Sequence, residues 1–185
     1  MDHHKFLNDM NEHWKQLFDK ARHVNGIGQL ERAEEFVTMA IANAESLPPD
    51  STSYSSAQGH FALWRYCQDR FAEAEAFQIR SIDAAKRSGI SDRELAGQMM
   101  WLAELQQKQD KWDSAKITME NAIKLIPPDC LPELANAYQE LASVVNKLGD
   151  TASASSATMR SAELQKEWDA LVASRTSMGD TGQTS

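Results

Sequence analysis

Small residues recur at fixed positions in four segments of the chain. The alanines that anchor this pattern lie 41, 41 and 39 residues apart, at Ala33, Ala74, Ala115 and Ala154. Seven residues after each alanine comes a second small residue, at Ala40, Ser81, Ala122 and Ser161. Residues spaced by seven share one face of a helix, and small side chains there let a neighbouring helix approach closely. The pattern predicts four helix pairs, with these residues on the second helix of each pair.

The segment before each anchor carries the complementary pattern of a first helix. Large and small neighbours occupy matching positions in three segments, at Phe61-Ala62, Leu102-Ala103 and Leu141-Ala142. Aligning Leu17-Phe18 with them requires three extra residues in the first turn. All five prolines, and the stretch from Ser88 to Asp92, fall between pairs, where helices must end. We therefore expect eight helices, at about 3–24, 29–46, 52–68, 71–88, 92–109, 112–126, 131–147 and 151–172.

The amino-acid composition supports the prediction of helices along the whole chain. The 185 residues include only 8 Gly and 5 Pro, and 42% are hydrophobic and 25% charged, which is typical of a soluble domain. The expected fold is all-α, a right-handed superhelical solenoid of about four antiparallel helix pairs. It forms one domain over residues 1–172, with repeats at about 1–48, 50–88, 91–127 and 131–172. The polar last helix suits a solubilising cap, and residues 173–185 are predicted to be a flexible tail.

The third segment carries the residues that identify a family. Leu102-Ala103, Trp112 after the turn, Ala115, Ala122 and Pro127 resemble the tetratricopeptide repeat. The resemblance covers about residues 11–168. The period is longer than the common form of 34 residues and is similar to that of kinesin light chains. Thr151 departs from the pattern, since Phe71 and Trp112 supply an aromatic residue at that position. The resemblance implies a concave groove, lined by first helices, that binds a peptide or helix of a partner protein.

Candidate partner-binding residues lie on the first helices, opposite the inward-facing Leu17, Phe61, Leu102 and Leu141. They are Lys15, Asp19, Arg22, His60, Leu63, Tyr66, Met100, Trp101, Glu104, Lys108, Gln139 and Ser143. Tyr66 and Trp101 would be the central anchors of such a groove, because binding hot spots are built from aromatic residues ringed by polar groups. Packing of both rings between adjacent repeats is the alternative. Gly59 and Gly97, inside predicted helices, indicate close helix packing.

Charge and chemistry narrow the range of functions. The net charge of -8 disfavours nucleic acid, and no apolar run approaches the roughly 18 residues of a membrane span. The start MDHHKFLND has no apolar core, so we expect no signal peptide and a cytoplasmic location. Cys67 and Cys130 are then reduced thiols.

The sequence offers no constellation of catalytic residues. Glu31, Glu34 and Glu35 begin a second helix, where they suit the helix dipole. No two histidines have the i, i+4 spacing of a helical zinc site. Met1-Asp2-His3 has the donor order of a Cu(II) site, although a solvated start of a helix explains it equally. We expect no enzyme activity, no metal and no cofactor.

The sequence therefore favours an adaptor or scaffold that binds a peptide or helix of a partner protein in its groove. A peptide-sensing regulatory module is the second hypothesis. The third is a homo-oligomeric structural protein that dimerises through the first helix, using Phe6, Met10 and Trp14.

Overall fold

The computed structural model describes residues 3–179, with side chains for residues 11–174. This part of the chain contains eight α-helices and no strand. They are α1 (His3–Gly26), α2 (Leu30–Ala44), α3 (Thr52–Tyr66), α4 (Phe71–Ser88), α5 (Asp92–Gln107), α6 (Trp112–Leu125), α7 (Leu131–Lys147) and α8 (Thr151–Gly179). The predicted helices are confirmed, except that α8 continues beyond its predicted end at residue 172. The remainder of the predicted tail, residues 180–185, lies outside the described residues.

The chain divides into two compact units, Met1–Ile90 and Ser91–Ser185. In the N-terminal unit, α1 pairs with α2 and α3 with α4, and α3 also packs on α1 and α2. In the C-terminal unit, α5 pairs with α6 and α7 with α8, and α7 packs on α6. This alternation of paired and stacked helices is the arrangement that the repeated sequence pattern predicted.

The anchor alanines lie where helices meet most closely. Ala33, Ala74 and Ala115 have no exposed surface, and Ala154 is also buried. Large side chains fill the remaining space, among them Trp14, Phe61, Leu105 and Met119. Burying one large apolar side chain contributes about 1.5–3 kcal/mol to stability. Leu102 and Leu141, predicted to face inward, are only half-buried.

All four turns within helix pairs have the same backbone conformation. Each contains one left-handed residue, at Gly28, Asp69, Asp110 and Gly149. The next residue donates its N–H to a carbonyl five residues earlier: Gln29 to Val24, Arg70 to Arg65, Lys111 to Gln106 and Asp150 to Val145, at 2.9–3.1 Å. This hydrogen bond satisfies a carbonyl at the end of the first helix. The prediction of three extra residues in the first turn is therefore wrong. Val24 of the first helix pair occupies the position that Arg65 occupies in the second.

Side-chain or glycine caps define the helix ends at the first two boundaries between pairs. Ser51 Oγ accepts a hydrogen bond from the Tyr54 N–H, and Ser91 and Glu94 form a reciprocal capping box. Gly89, with φ of 72°, ends α4 in the left-handed conformation that a glycine adopts without strain.

Close packing does not explain both helical glycines. A Cβ atom at Gly97 would meet nothing within 4 Å, so that explanation is wrong there. At Gly59 a Cβ atom would lie in ordinary contact with Ser81 Oγ, at 3.5 Å.

Within the described residues, none of the helices combines the length and the apolar character that crossing a membrane requires.

Candidate functional site

An open cavity in the C-terminal unit gathers aromatic, sulfur-containing and charged side chains from three helices. Its volume is about 640 Å³, within the range of sites that bind small ligands or peptide side chains. We call it the aromatic cavity. It is lined by Met100, Trp101, Glu104, Gln107, Lys108, Trp112, Met119, Asn136 and Glu140.

Helical periodicity brings these residues to one place. Met100, Glu104 and Gln107 recur at intervals of four and three, so they form one stripe along α5. Trp101 and Lys108 lie beside that stripe, seven residues apart. On α6, Trp112 and Met119 have the same spacing of seven. On α7, Asn136 and Glu140 are separated by four residues, one helical turn.

The side chains of the aromatic cavity differ in their exposure. Met119 is almost fully buried, whereas Met100, Trp101 and Trp112 are half-buried. Glu104, Lys108, Asn136 and Glu140 are exposed. Lys147, near the end of α7, places its Nζ 5.8 Å from the centroid of the Trp112 ring, within the range of a cation–π interaction. The cavity thus has a buried apolar surface and a charged, solvated rim.

Four predicted site residues come together in the aromatic cavity: Met100, Trp101, Glu104 and Lys108. The prediction missed Gln107, Trp112, Met119, Asn136 and Glu140, because it considered only one face of the first helices. Trp112 was noted in the sequence as the aromatic residue at the start of α6, directly after the turn at Asp110, but it was not assigned to the site.

Gln139 and Ser143 lie elsewhere. They line a second cavity of about 750 Å³ between α7 and α8, together with Asn146, Thr151 and Thr158. Its surface is made of small and polar groups, and no aromatic residue lines it.

The predicted site residues of the N-terminal unit have different neighbours. Lys15 pairs with Glu12 at 3.1 Å, and Arg22 with Asp19 at 3.7 Å. Both pairs are formed along α1 and leave these charges at the surface.

Of the predicted residues on α3, His60 packs its ring edge-on against Trp14 and Phe18, with centroids 5.6 Å away in each case. Tyr66 packs edge-on against Phe71, at 5.6 Å. Leu63 is 49% exposed.

A third cavity, of about 930 Å³, lies between α1 and α2 and includes Asp19. Gln16, Lys20 and His23 line it, at positions where α3 has Ala57, Phe61 and Trp64. The α3 residues are buried in the core of the N-terminal unit, whereas α1 has polar residues at the matching positions.

Trp14 cannot form the dimer face predicted on the first helix. It is 2% exposed, and its ring lies 5.9 Å from that of Phe61 in the core of the N-terminal unit. The side chains of Phe6 and Met10 lie outside the described residues.

Glu34 holds a polar network that the sequence did not reveal. Its carboxylate accepts hydrogen bonds from Trp64 Nε1 at 2.7 Å, from Gln68 Nε2 at 2.6 Å and from Arg65 at 2.7 and 2.9 Å. Burial by itself raises the pKa of Glu34. The hydrogen bonds from Gln68, Trp64 and Arg65 and the charge of Arg65 outweigh this effect, so that the pKa is lowered from 4.5 to about 2. The helix dipole alone is therefore an insufficient explanation of Glu34, because its carboxylate links α2 to α3.

No cluster of three His, Cys, Asp or Glu residues able to hold a metal ion occurs among the described residues. The Met1-Asp2-His3 sequence falls outside the part whose side chains are described. Cys67 is exposed and Cys130 half-buried, and both are free thiols.

Comparison with known proteins finds matches by structure and none by sequence. No family model matches the chain, and no curated protein matches it. Solved structures do match. BtubC (BKLC) from P. vanneervenii has a TM-score of 0.70 and 18% identity, over 84% of this chain and 64% of that one. A putative kinesin light chain from Podosopora anserina with nearly identical TPR-like repeats has a TM-score of 0.68 and 15% identity, over 85% and 76%.

A third structure comes from a different repeat protein. The N-terminal domain of stress-induced protein-1 (STI-1) from C. elegans has a TM-score of 0.51 and 15% identity, over 69% of this chain and 96% of that domain. The chain thus has the fold of a helical-repeat protein. More particularly, its fold is similar to that of the TPR-like repeat structures, an all-α helical-repeat fold as the sequence predicted. It spans 64% of the length of the BtubC chain.

Proposed function

We propose that the protein is a non-catalytic adaptor or scaffold that binds a peptide or helix of a partner protein in the aromatic cavity. The observation that carries this proposal is the meeting of Trp101, Trp112, Met100 and Met119 in one open cavity with a polar rim. Binding hot spots combine a few aromatic anchors with surrounding polar residues that exclude water. Thioether side chains adapt to ligands of different shape, which suits a peptide-binding surface.

The three helices that line the cavity also suit a peptide ligand. Side chains on α5, α6 and α7 reach the same space from different directions, so an inserted residue is contacted on several sides. A helical or extended segment would place one or two anchors there and lay its backbone along the exposed rim. The cytoplasm is the proposed compartment of this interaction, where Cys67 and Cys130 would remain reduced. The net charge of -8 favours protein over nucleic acid as the partner.

Selection from a random library of 12-residue peptides, displayed on phage, would test this proposal with the full chain as bait. Selected peptides would be synthesised and their Kd measured by isothermal titration calorimetry. We expect Trp101→Ala to weaken binding by about 2 kcal/mol or more, as truncation of an aromatic hot spot does. Circular dichroism and urea unfolding would establish that the variant remains folded.

Ile117→Ala is the matched control. Ile117 is 60% exposed on α6 and does not line the cavity, so its truncation removes apolar surface without touching the site. Two results would contradict the proposal: a folded Trp101→Ala protein that keeps full affinity, or libraries that yield no peptide with a Kd below about 100 µM.

A further inference from the structure

We infer that the bound partner segment is an α-helix that lies directly against the main chain of α5 at Gly97. This inference rests on the proposed function and adds the form of the bound segment and a residue that selects it. Three observations carry it: the open space at Gly97, its place beside the aromatic cavity, and the internal hydrogen bonding of the α5 backbone.

Neither packing nor backbone conformation explains Gly97. It lies in the interior of α5, where glycine is less favourable than any residue except proline. A Cβ atom at Gly97 would meet nothing within 4 Å, and the residue does not have a positive φ. Gly97 is also exposed. An alanine would therefore fit this position and stabilise the helix, so the fold of the chain does not require a glycine here.

Gly97 borders the aromatic cavity. Trp101, Glu104 and Lys108 follow it at intervals of four, seven and eleven residues, so the four residues lie on one face of α5. The last three of them line the cavity. A ligand that enters the cavity and continues along this face of α5 therefore meets Gly97 one helical turn before Trp101.

An ion pair between α5 and α7 lies on the other side of Gly97. Arg93, four residues before Gly97, pairs with Glu133 of α7. On α7, Asn136 follows Glu133 by three residues and lines the aromatic cavity. The surface between the ion pair and the cavity thus has the Asn136 side chain on α7, whereas on α5 it has only main chain at Gly97.

The backbone of α5 favours a helix over an extended segment at this point. Inside an α-helix the N–H and C=O groups are hydrogen-bonded within the helix, so Gly97 offers no backbone group to an extended peptide. An extended segment pressed against Gly97 would lose water from its own N–H and C=O groups without replacing those hydrogen bonds. A partner helix satisfies these groups internally. Two helices also approach most closely where the side chains at their contact are smallest.

The position of Gly97 predicts a spacing on the partner helix. Gly97 and Trp101 are about 6 Å apart along the axis of α5, because each residue adds about 1.5 Å. One turn of a partner helix aligned with α5 covers nearly the same distance. A small residue against Gly97 would therefore be followed or preceded, three or four positions away, by a large apolar residue that enters the cavity beside Trp101.

Two peptide libraries displayed on phage test the form of the ligand, with the full chain as bait. Both randomise positions i, i+3, i+4 and i+7 of a host of about 20 residues, long enough for a stable helix. One host consists of Ala, Glu and Lys, which favour helix, and the other of Gly and Ser, which do not. We expect binders from the helical host alone, with a small residue three or four positions from a large apolar one.

Substitutions at Gly97 separate binding from folding. Gly97→Ala should raise the midpoint of urea unfolding, because alanine favours helix and its Cβ meets no other group, yet it should weaken binding of the selected peptides. Gly97→Gln should weaken binding by about tenfold or more, since a side chain then fills the contact. Isothermal titration calorimetry measures both affinities.

Ala162→Gln is the matched control. Ala162 is exposed on α8 in the same unit and does not line the aromatic cavity, so a glutamine there adds a side chain away from the site. We expect this variant to bind the selected peptides as wild type does. Circular dichroism would verify that all the variants fold.

The outcomes separate this inference from the proposed function. Peptides that bind Gly97→Gln as tightly as wild type, but lose affinity for Trp101→Ala, would overturn the contact at Gly97 and keep the proposed function. Equal recovery of binders from the Gly/Ser host would overturn the helical form of the ligand. An equal loss of affinity in Ala162→Gln and Gly97→Gln would also overturn the inference. Failure of both libraries to yield a peptide with a Kd below about 100 µM would overturn the inference and the proposed function together.

Discussion

Glu34 is the residue at which the structure departs most from a reading of local pattern. One carboxylate accepts hydrogen bonds from two side chains of α3, Trp64 and Arg65, and from Gln68 just after that helix, and two of its bonds come from the guanidinium group of Arg65. Arg65 is 6% exposed, and its guanidinium group pairs with Glu34 at 2.7 Å and with Glu73 at 3.4 Å. A buried cation left unpaired is costly, which makes the Glu34–Arg65 pair a fixed connection between α2 and α3.

Glu34→Gln should destabilise the N-terminal unit by about 1–3 kcal/mol at pH 7, because the buried Arg65 loses its nearer counter-charge and keeps only Glu73, at 3.4 Å. The folded pKa of about 2 lies below the ordinary 4.5, so the stabilisation is full above about pH 4.5 and declines as the pH falls towards 2. The difference between wild type and Glu34→Gln should therefore shrink from pH 7 to pH 3. Urea unfolding at several pH values measures it.

Glu31→Gln serves as the control for this effect. Glu31 is exposed on the same helix, and its replacement should change stability by less than about 0.5 kcal/mol. A difference between wild type and Glu34→Gln that stays constant from pH 7 to pH 3 would contradict the lowered pKa.

The Glu34 network was not predictable from the repeat pattern. The residues at the positions of Arg65 in the other first helices are Val24, Gln106 and Val145, so no column of like residues marks the site. Its partner is 31 residues away in the chain. Only packing of α3 on α2 brings the two together.

The four turns within helix pairs share one backbone conformation, although different residues adopt it. Gly28 and Gly149 adopt the left-handed conformation in the first and last turns, and Asp69 and Asp110 adopt it in the two middle turns, with φ of 57° and 56°. A residue with a Cβ atom pays for this conformation, although Asp tolerates it better than most.

Asp110→Gly should therefore stabilise the protein by about 0.5–1 kcal/mol, because glycine adopts the left-handed conformation without strain. Gly149→Ala, the reverse change at the matching position, should destabilise it by a similar or larger amount. Chemical denaturation of both variants beside wild type measures these shifts. Destabilisation by Asp110→Gly would show that the aspartate makes a compensating interaction.

Helix α8 shows what hydrophobic periodicity does and does not report. The prediction ended this helix at residue 172 because the following residues are polar and without a repeating apolar pattern. The helix continues to Gly179 nevertheless. Periodicity indicates which face is buried, whereas helix formation also depends on propensity, and no proline interrupts the chain between Thr151 and Gly179.

At the scale of the molecule, α1 forms part of the hydrophobic core of the N-terminal unit. Trp14 lies near the rings of Phe18, His60 and Phe61, so it is shared between α1 and α3. A dimer that used the Trp14 side chain would have to open the N-terminal unit.

Trp14→Ala should destabilise the protein by about 3–5 kcal/mol, as removal of a fully buried aromatic side chain does, and should leave the molar mass in solution unchanged. Urea unfolding and light scattering coupled to size-exclusion chromatography measure the two quantities. Ile27→Ala is the control, since Ile27 is 60% exposed in the same unit. A wild-type dimer converted to a stable monomer by Trp14→Ala would support the dimer face instead.

The candidate site was predictable only in part, for a geometric reason. Met100, Trp101, Glu104 and Lys108 share α5, so helical periodicity alone selects them. Trp112, Met119, Asn136 and Glu140 come from two other helices. Their arrival in the same cavity depends on how α6 packs against α5 and α7 against α6, which no spacing along one helix specifies.

The sequence by itself determined the eight helices, their pairing and the small residues at their contacts. These features are local, since they depend on periodicity, propensity and capping within a few turns. The tertiary structure alone decided the burial of Trp14, the lowered pKa of Glu34 and the side chains that share the aromatic cavity. Each of these depends on distances between helices far apart in the chain, where packing fixes which groups lose water and which charges meet.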